Sequence, residues 1–414
     1  MSLLADLLST IFDRSTKATP NTKLDNRPIA KLILDLIGSR GEVRGMTLAR
    51  QILDRYTAMS KAKKRDFFKY LATGLDIDPV DVRAALEAYE ADPSRINYRS
   101  FMEVAEPARQ ELVRRLNQVP RATGSLVAMR QDLLELARTD ASLSALDLDF
   151  RHLFSSWFNR GFLVLRPINW ESPAHVLEKI IEYEAVHTID SWSALRRRMQ
   201  PPDRRCFAFF HPAMPDEPLI FVEVALTKGI PRSIQKILAE ERDVLEEENA
   251  DTAVFYSISN CQAGLAGISF GNLLIKQVVD DLSSQLLSLK TFVTLSPIPG
   301  FTQWLKVENL EDVATDERLP SLAAAYLIKA KRLDGSPLDP VARFHLGNGA
   351  LVHAVHADAN TSIKGQAQSR GVMVNYLYDL STNAQNHEHF AGSFVIAASS
   401  DIKALAQAAE KLDT

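Results

Sequence analysis

The sequence predicts an α+β protein. An N-terminal all-helical bundle covers residues 1–155, and a mixed α/β domain follows over 156–414. Three observations predict this. Apolar residues recur at helical spacing through the first 155 positions, with no run of strand alternation. Beyond them the texture changes to short apolar runs bounded by proline, glycine and polar turns, with helical stretches between. A chain of 414 residues, 46% hydrophobic, is also long enough for a large core and more than one domain.

The helical spacing is carried by PIAKLILDLIGS, TLARQILDRYTAMSKAKKRDFFKYLATGL, DPVDVRAALEAYEAD, YRSFMEVAEPARQELVRRLNQV and TGSLVAMRQDLLELARTD. Asp78-Pro79 and Thr123-Gly124 mark starts or stops. The basic run Lys61–Arg65 reads as a solvated helix face.

In the second part, RGFLVLRPINW reads as a strand ending at proline. SPAHVLEKIIEYEAV reads as a helix, with Ser172 as N-cap and Pro173 in the first turn. CFAFFH and LIFVEVALT read as a hairpin joined by a long loop, PAMPDEP. After a short helix, IPRSIQKILAEE, the acidic connector ERDVLEEENADT reads as exposed. TAVFYSISN is a strand, CQAGLAGISFGN a glycine-bearing loop, FGNLLIKQVVDDLSSQLLSL a helix and TFVTLS a second strand. A β–loop–α–β order makes the two strands parallel, with a right-handed crossover. LPSLAAAYLIKA is helical, RFHLGNGALVHAVH a turn and a short strand, GVMVNYLYDL a strand, and the last stretch a helix.

The formal charge of -4 leaves no basic excess to favour nucleic acid. No apolar run approaches membrane-spanning length. The N-terminal stretch MSLLADLLSTIFDRSTKATP is mildly amphipathic but carries no basic leader region, and the ending KLDT is not a peroxisomal tripeptide. With only Cys206 and Cys261, far apart, the expectation is a reducing compartment and the cytoplasm.

Candidate chemistry begins at QAGLAGISFGN. Gly264, Gly267 and Gly271 permit close backbone approach, and the following helix offers free N–H groups to an anionic diphosphate. A plain strand-to-helix turn fits equally, because neither a GxGxxG fingerprint nor a P-loop is complete. Ser296, in TLSPIPGFTQWL, ends the next strand at the end of a parallel sheet where ligands collect. No GxSxG surrounds it, so it is not a nucleophile elbow. His345, in RFHLGNGA, is a candidate proton donor titrating near neutrality or a histidine satisfied within a turn. Asn375, Tyr376 and Tyr378 line a pocket or pack the sheet; Arg204 and Arg205 meet phosphate or solvent. His353, His356, His387 and His389 form no convincing metal set.

At this point the chain resembles the malonyl-CoA decarboxylase family. The resemblance rests on EKIIEYEAVH, DRRCFAFFHPAMPDEPLIFVEVALTKGIP, FYSISNCQAGLAGISFGNLLIKQVV, TLSPIPGFTQWL, RFHLGNGA and VNYLYDL, in ordered blocks over 155–380. It implies a helical domain involved in assembly, as a dimer or tetramer, and a catalytic domain similar to the GNAT acetyltransferase fold. It implies that Ala266, Gly267, Ile268, Ser269, Phe270, Gly271 and Asn272 cradle the CoA diphosphate, with Gly264 beside them, and that Ser296 and His345 are the catalytic pair. Some members carry a glutamate where this chain has Ser269, so no role of that acid carries over. The implied reaction turns malonyl-CoA into acetyl-CoA and CO2 without metal or organic cofactor. An N-acetyltransferase on the same fold, an acyl-CoA hydrolase, and a non-catalytic acyl-CoA sensor are the alternatives.

Overall fold

The computed structural model describes residues 25–268 and 271–410. The amphipathic N-terminal stretch, Ser269, Phe270 and the final KLDT lie outside them.

One compact unit comprises residues 25–163 together with 211–215 and 262–268. Its helices are Ile29–Ile37, Glu42–Thr57, Lys61–Gly74, Pro79–Ala91, Arg95–Ala105, Ala108–Leu116, Ala122–Ala137 and Ser144–Trp157. Two of the periodic stretches each fall into two helices, the second breaking ahead of Pro107, where proline disfavours helical backbone in the residue before it. Asp78 accepts a hydrogen bond from Val80 N–H, with Pro79 at the first helical position, as the sequence signals. The core is a stack of fully buried Ile33, Ile52, Phe68, Leu71, Leu116, Leu133, Phe150 and Phe154. Buried Arg109 crosses it, pairing Asp149 at 2.5 Å and donating to Ala72 O at 3.1 Å. The helices Pro79–Ala91 and Arg95–Ala105 stand apart from this core. Neither contributes a buried residue, and Val80 and Ile96 are 72% and 79% exposed.

The other unit is built on an eight-stranded sheet. Its strands are β1 Val164–Ile168, β2 Arg204–His211, β3 Met214–Thr227, β4 Thr252–Asn260, β5 Thr291–Thr294, β6 Ser296–Pro297, β7 Leu351–His356 and β8 Met373–Leu377. The spatial order is β1-β2-β3-β4-β5-β8-β6, with β7 on β8. Only Pro212 and Ala213 join β2 to β3, so the predicted long loop is a tight turn, and MPDEP is part of β3. His211 explains the tightness: its Nδ1 accepts Ala213 N–H at 3.1 Å, and its ring lies 4.9 Å from Phe158. β1 tolerates Pro167 because it is an edge strand. Ser172 does not cap the helix Ala174–Tyr183; its hydroxyl accepts Asn169 N–H at 3.1 Å instead.

As predicted, β4 and β5 are parallel, in register from Thr252↔Thr291 to Phe255↔Thr294. There the pairing stops. β4 continues to Asn260 against β3 alone, while the other line breaks at Leu295 and resumes as β6 against β8. The sheet therefore opens at the C-terminal ends of the parallel pair. A β-bulge at Glu223/Val224 precedes the opening, pairing Val224 with Phe255 and Glu223 with Ser257. An extra residue inverts the side-chain alternation past it. Phe255 therefore faces one side of the sheet, where its ring lies 6.2 Å from Tyr378, while Ser257 faces the other and bonds Glu184 at 2.7 Å.

Candidate active site

Ser296 is held where the sheet opens. Alternation along the β5–β6 line puts Thr294 and Ser296 on one face, Oγ to Oγ1 at 2.9 Å. Thr294 is fixed in turn from β8: its Oγ1 accepts Tyr376 N–H at 3.1 Å, and its carbonyl accepts Asn375 Nδ2 at 2.7 Å. Asn375 Oδ1 also lies 2.5 Å from His356 Nε2. Asn375 thus reinforces the strand break from the other face of β8, and its side-chain hydrogen bonds go to Thr294 and His356, not to Ser296 or His345.

His345 does not lie in a turn. It sits in the last turn of a helix, Pro340–Gly347. The signal is upstream of RFHLGNGA: the Asp339 carboxylate accepts Val341 and Ala342 N–H at 2.9 and 2.8 Å, and Pro340 opens the helix. Burial pushes Asp339 up to about 6, against those two bonds, which pull it down.

The ring of His345 bridges two strands. Nε2 lies 3.1 Å from Ser296 Oγ, and Nδ1 lies 2.8 Å from the Tyr378 hydroxyl. Tyr376 stacks on the imidazole, centroids 4.6 Å apart, and Phe344 meets its edge at 5.0 Å. Ser296 and His345 are only 5% and 3% exposed. Burial without a facing carboxylate lowers His345 to about 3, so the ring is neutral at physiological pH, contrary to the neutral-range titration expected from sequence. Burial likewise holds Tyr378 well above its ordinary value, so the phenol keeps its proton. Donated to Nδ1, that proton leaves the ring's own hydrogen on Nε2, facing Ser296. The hydroxyl of Tyr376 is buried without a hydrogen-bond partner among the described residues.

The sequence marks Tyr378 as a residue that lines a pocket or packs the sheet; its bond to His345 Nδ1 is what sequence reasoning did not assign. Tyr378 stands two residues after Tyr376 in VNYLYDL, so strand alternation puts both rings on the face that His345 meets.

The glycine loop belongs to the helical unit. Buried Arg130 donates from Nη1 to Gly264 O at 2.8 Å and Ala266 O at 3.0 Å, and pairs Asp147 at 2.8 Å. A methyl group at Gly264 would lie 1.9 Å from Val127 O, so only glycine fits. Gly267 has φ +77°, and the Arg151 guanidinium lies beside it, Nε 3.6 Å from where a Cβ would stand. Gly271 and Asn272 begin the helix Gly271–Gln285. Arg204 and Arg205 bind acids and carbonyls of their own surroundings, away from Ser296. Among the described residues no three His, Cys, Asp or Glu side chains gather as a metal site, and no helix is long and apolar enough to cross a membrane.

The profile of the malonyl-CoA decarboxylase C-terminal domain matches residues 161–317 and 308–413, and that of the N-terminal domain matches 75–158. The chain belongs to the malonyl-CoA decarboxylase family. It is 35% identical over 348 residues to the mitochondrial malonyl-CoA decarboxylase of Anser anser anser, covering 72% of this chain and 69% of that one. With the Mus musculus mitochondrial enzyme it shares 34% over 331 residues, 68% of this chain and 67% of that one. The crystal structure of malonyl-CoA decarboxylase from Rhodopseudomonas palustris superposes with a TM-score of 0.86 at 47% identity, over 91% of this chain and 98% of that one. The Agrobacterium vitis structure gives 0.86 at 49%, over 91% and 99%. Membership of the malonyl-CoA decarboxylase family fits a site built from a serine and a neutral histidine on a sheet that opens beside them.

Proposed function

We propose that the chain decarboxylates malonyl-CoA to acetyl-CoA and CO2, with Ser296 and His345 as its catalytic residues. The observation that carries this is the buried chain Ser296 Oγ–His345 Nε2 and His345 Nδ1–Tyr378 OH, at 3.1 and 2.8 Å. Loss of CO2 leaves its electron pair on the α-carbon, delocalised into the thioester as an enolate. The thioester is the electron sink, so the reaction needs no metal or organic cofactor. What remains for the protein is to orient the carboxylate out of the thioester plane, place donors at the growing oxyanion, and deliver one proton to carbon.

A neutral imidazole suits the last two tasks. Its Nε2–H is a donor that does not attract the departing carboxylate as an imidazolium would, and an enolate carbon is a far stronger base than a ring nitrogen. We assign proton delivery to His345 Nε2, with Ser296 Oγ orienting the malonyl group between that nitrogen and Thr294. As Nε2 gives up its hydrogen, Nδ1 takes the hydrogen of Tyr378, so the ring stays neutral, no imidazolate forms, and the negative charge of the enolate passes to the Tyr378 oxygen, which regains a proton from solvent before the next turnover. A serine with no basic partner stronger than this histidine is a hydrogen-bonding group here, not a nucleophile.

For the coenzyme, we assign residues 266–272 to the diphosphate. Gly267 in its left-handed conformation and Arg151 beside it support that reading. We divide the chain into an assembly domain, 1–155, and a GNAT-like catalytic domain, 156–414. A homo-oligomer, dimer or tetramer, is supported by the bare apolar faces of Pro79–Ala91 and Arg95–Ala105. Two buried, unbridged cysteines support a reducing setting such as the cytoplasm.

The test is product analysis of the purified chain with malonyl-CoA in the presence of a chelator. Equimolar acetyl-CoA and CO2, abolished in His345→Ala, is the expected result. Bound but intact malonyl-CoA would overturn the assignment in favour of a sensor, and free CoA without CO2 in favour of a hydrolase.

A further inference from the structure

Four arginines converge on a small cavity at the other end of the sheet from Ser296. The cavity has a volume of about 120 Å³ and is lined by Arg197, Arg198, Arg204 and Arg242 over a floor of Ile237 and Leu238. Its position follows from the ladder. Leu226 N–H donates to Asp203 O at 2.9 Å, placing the start of β2 beside the end of β3. Thr227 of β3 pairs with Thr252, the first residue of β4, which pairs with Thr291, the first of β5. The cavity thus lies where the parallel strands begin, whereas Ser296 lies where they end.

The acids here do not use up the cations. Arg198 pairs with Glu223 beneath it at 3.0 Å. Asp203 takes a two-bond fork from Arg242, its Oδ2 from Nη1 and its Oδ1 from Nη2 at 2.8 Å, and lies 3.4 Å from Arg204. Arg204 otherwise donates to carbonyls, Asp203 O at 2.9 Å and Ile237 O at 2.7 Å. Among the described residues Arg197 pairs with Glu240 alone, at 2.6 Å, a side chain 74% exposed. Each guanidinium carries five N–H donors, so several remain unused. Burial lowers the pKa of Arg204 below its ordinary value despite Asp203, which is the mark of a cation with less negative charge nearby than its burial demands. Arg198 and Arg204 are only 8% and 4% exposed, so both heads are fixed by packing.

We propose that this cavity is a binding site for a phosphate group, separate from the site that acts on malonyl-CoA. Planar guanidiniums with fixed heads match the tetrahedral oxygens of phosphate in a two-bond geometry that ammonium groups cannot supply. The size fits one such group and little more, since a water molecule in the liquid occupies about 30 Å³. The occupant is therefore free phosphate or the terminal phosphate of a small phosphomonoester whose remainder stays outside. Of the Arg-Arg pair at 204–205 in the sequence only Arg204 lines the cavity; the rest of the site comes from the helix Trp192–Met199 and from Arg242 in the acidic connector.

The experiment is calorimetric titration of the full chain with inorganic phosphate and, separately, with glycerol phosphate, at constant ionic strength set by sodium chloride. Each titration is repeated with acetyl-CoA bound. Saturable binding that persists beside acetyl-CoA and weakens at least tenfold in Arg197→Glu is expected. Arg197 is surface-accessible and its replacement leaves the core intact; Arg197→Lys should restore part of the affinity, keeping charge without the fork. The tighter of the two ligands distinguishes a free anion from a phosphomonoester. Binding no better than chloride, displacement by acetyl-CoA, or equal affinity in Arg197→Glu would each overturn the proposal.

Discussion

His345 Nδ1 lies 2.8 Å from the hydroxyl of Tyr378, and this contact fixes what the other ring nitrogen can do. A phenol that keeps its proton donates it, so Nε2 carries the hydrogen that faces Ser296. Tyr378→Phe keeps the ring against Phe255 and removes only that donor. The tautomer is then free, and a ring with its hydrogen on Nδ1 competes with the one that points a hydrogen at Ser296. We expect kcat to fall about 10- to 100-fold with KM nearly unchanged, within the usual range for an acid–base contribution. Steady-state kinetics of the variant with malonyl-CoA checks it; an unchanged kcat would remove Tyr378 from the proton path.

Ser296→Ala and His345→Ala remove neighbouring links of one unit, so their effects should not add. Each alone is expected to lower kcat by about 10²–10⁴-fold, and the double variant to lie close to the worse single one. Because His345 is held near 3, the wild-type kcat should stay flat between about pH 5 and 7, below the range in which Glu223 ionises. A bell with a limb near the ordinary histidine value would mean that the ring is charged in the working enzyme. His345 also bears on stability. Its folded value lies below the unfolded one of 6.5, so the unfolded chain binds the extra proton, and its contribution is full above that pH and is lost as pH falls towards 3. Urea midpoints at pH 7 and 5 should show the wild type losing more than His345→Gln.

Much of this site was legible in the sequence, and the parts that were not have physical reasons. The two parallel strands, the crossover helix and the serine at the strand end follow from hydrophobic runs and local turn chemistry. His345 was found as a residue but placed in a turn, because LGNG outweighed the Asp339-Pro340 start five residues earlier. Tyr378 needed the pairing of β8 with β5, a long-range register that no local pattern states. The helical packing of the glycine loop was hidden for the same kind of reason: Arg130 and Gly264 meet across 134 residues. The bulge at Glu223/Val224 was invisible because its effect is to break the alternation by which strand faces are read.

That glycine loop gives a structural prediction. Gly264→Ala puts a methyl group 1.9 Å from the carbonyl oxygen of Val127, on a helix held by core packing. One side must move, and overpacking of this kind costs about 1–3 kcal/mol. The control is Gly41→Ala, where nothing lies within 4 Å of the added atom. Thermal unfolding should show a clear loss for the first and little change for the second.

Glu223 gives the opposite pH dependence to His345. It is wholly buried on the face away from Ser296, with Oε2 on Arg198 at 3.0 Å and Oε1 without a partner among the described residues. Burial outweighs the arginine and pushes the carboxyl from 4.5 up to about 8. The folded state therefore holds a proton that the unfolded state gives up. Stability from this group is full below pH 4.5 and is lost as pH rises through about 8. Glu223→Gln keeps the shape and cannot ionise, so its urea midpoint should decline less than that of the wild type between pH 6 and 8.5. Because Glu223 pairs with Ser257 at the bulge, ionisation also loads the strand that supports Phe255 and, through it, Tyr378. The wild type should therefore lose activity as pH rises through about 8, where it also loses stability, and Glu223→Gln should flatten both curves together. If the variant restores the stability but leaves the activity limb in place, the alkaline limb belongs to a group that touches the substrate and not to the bulge.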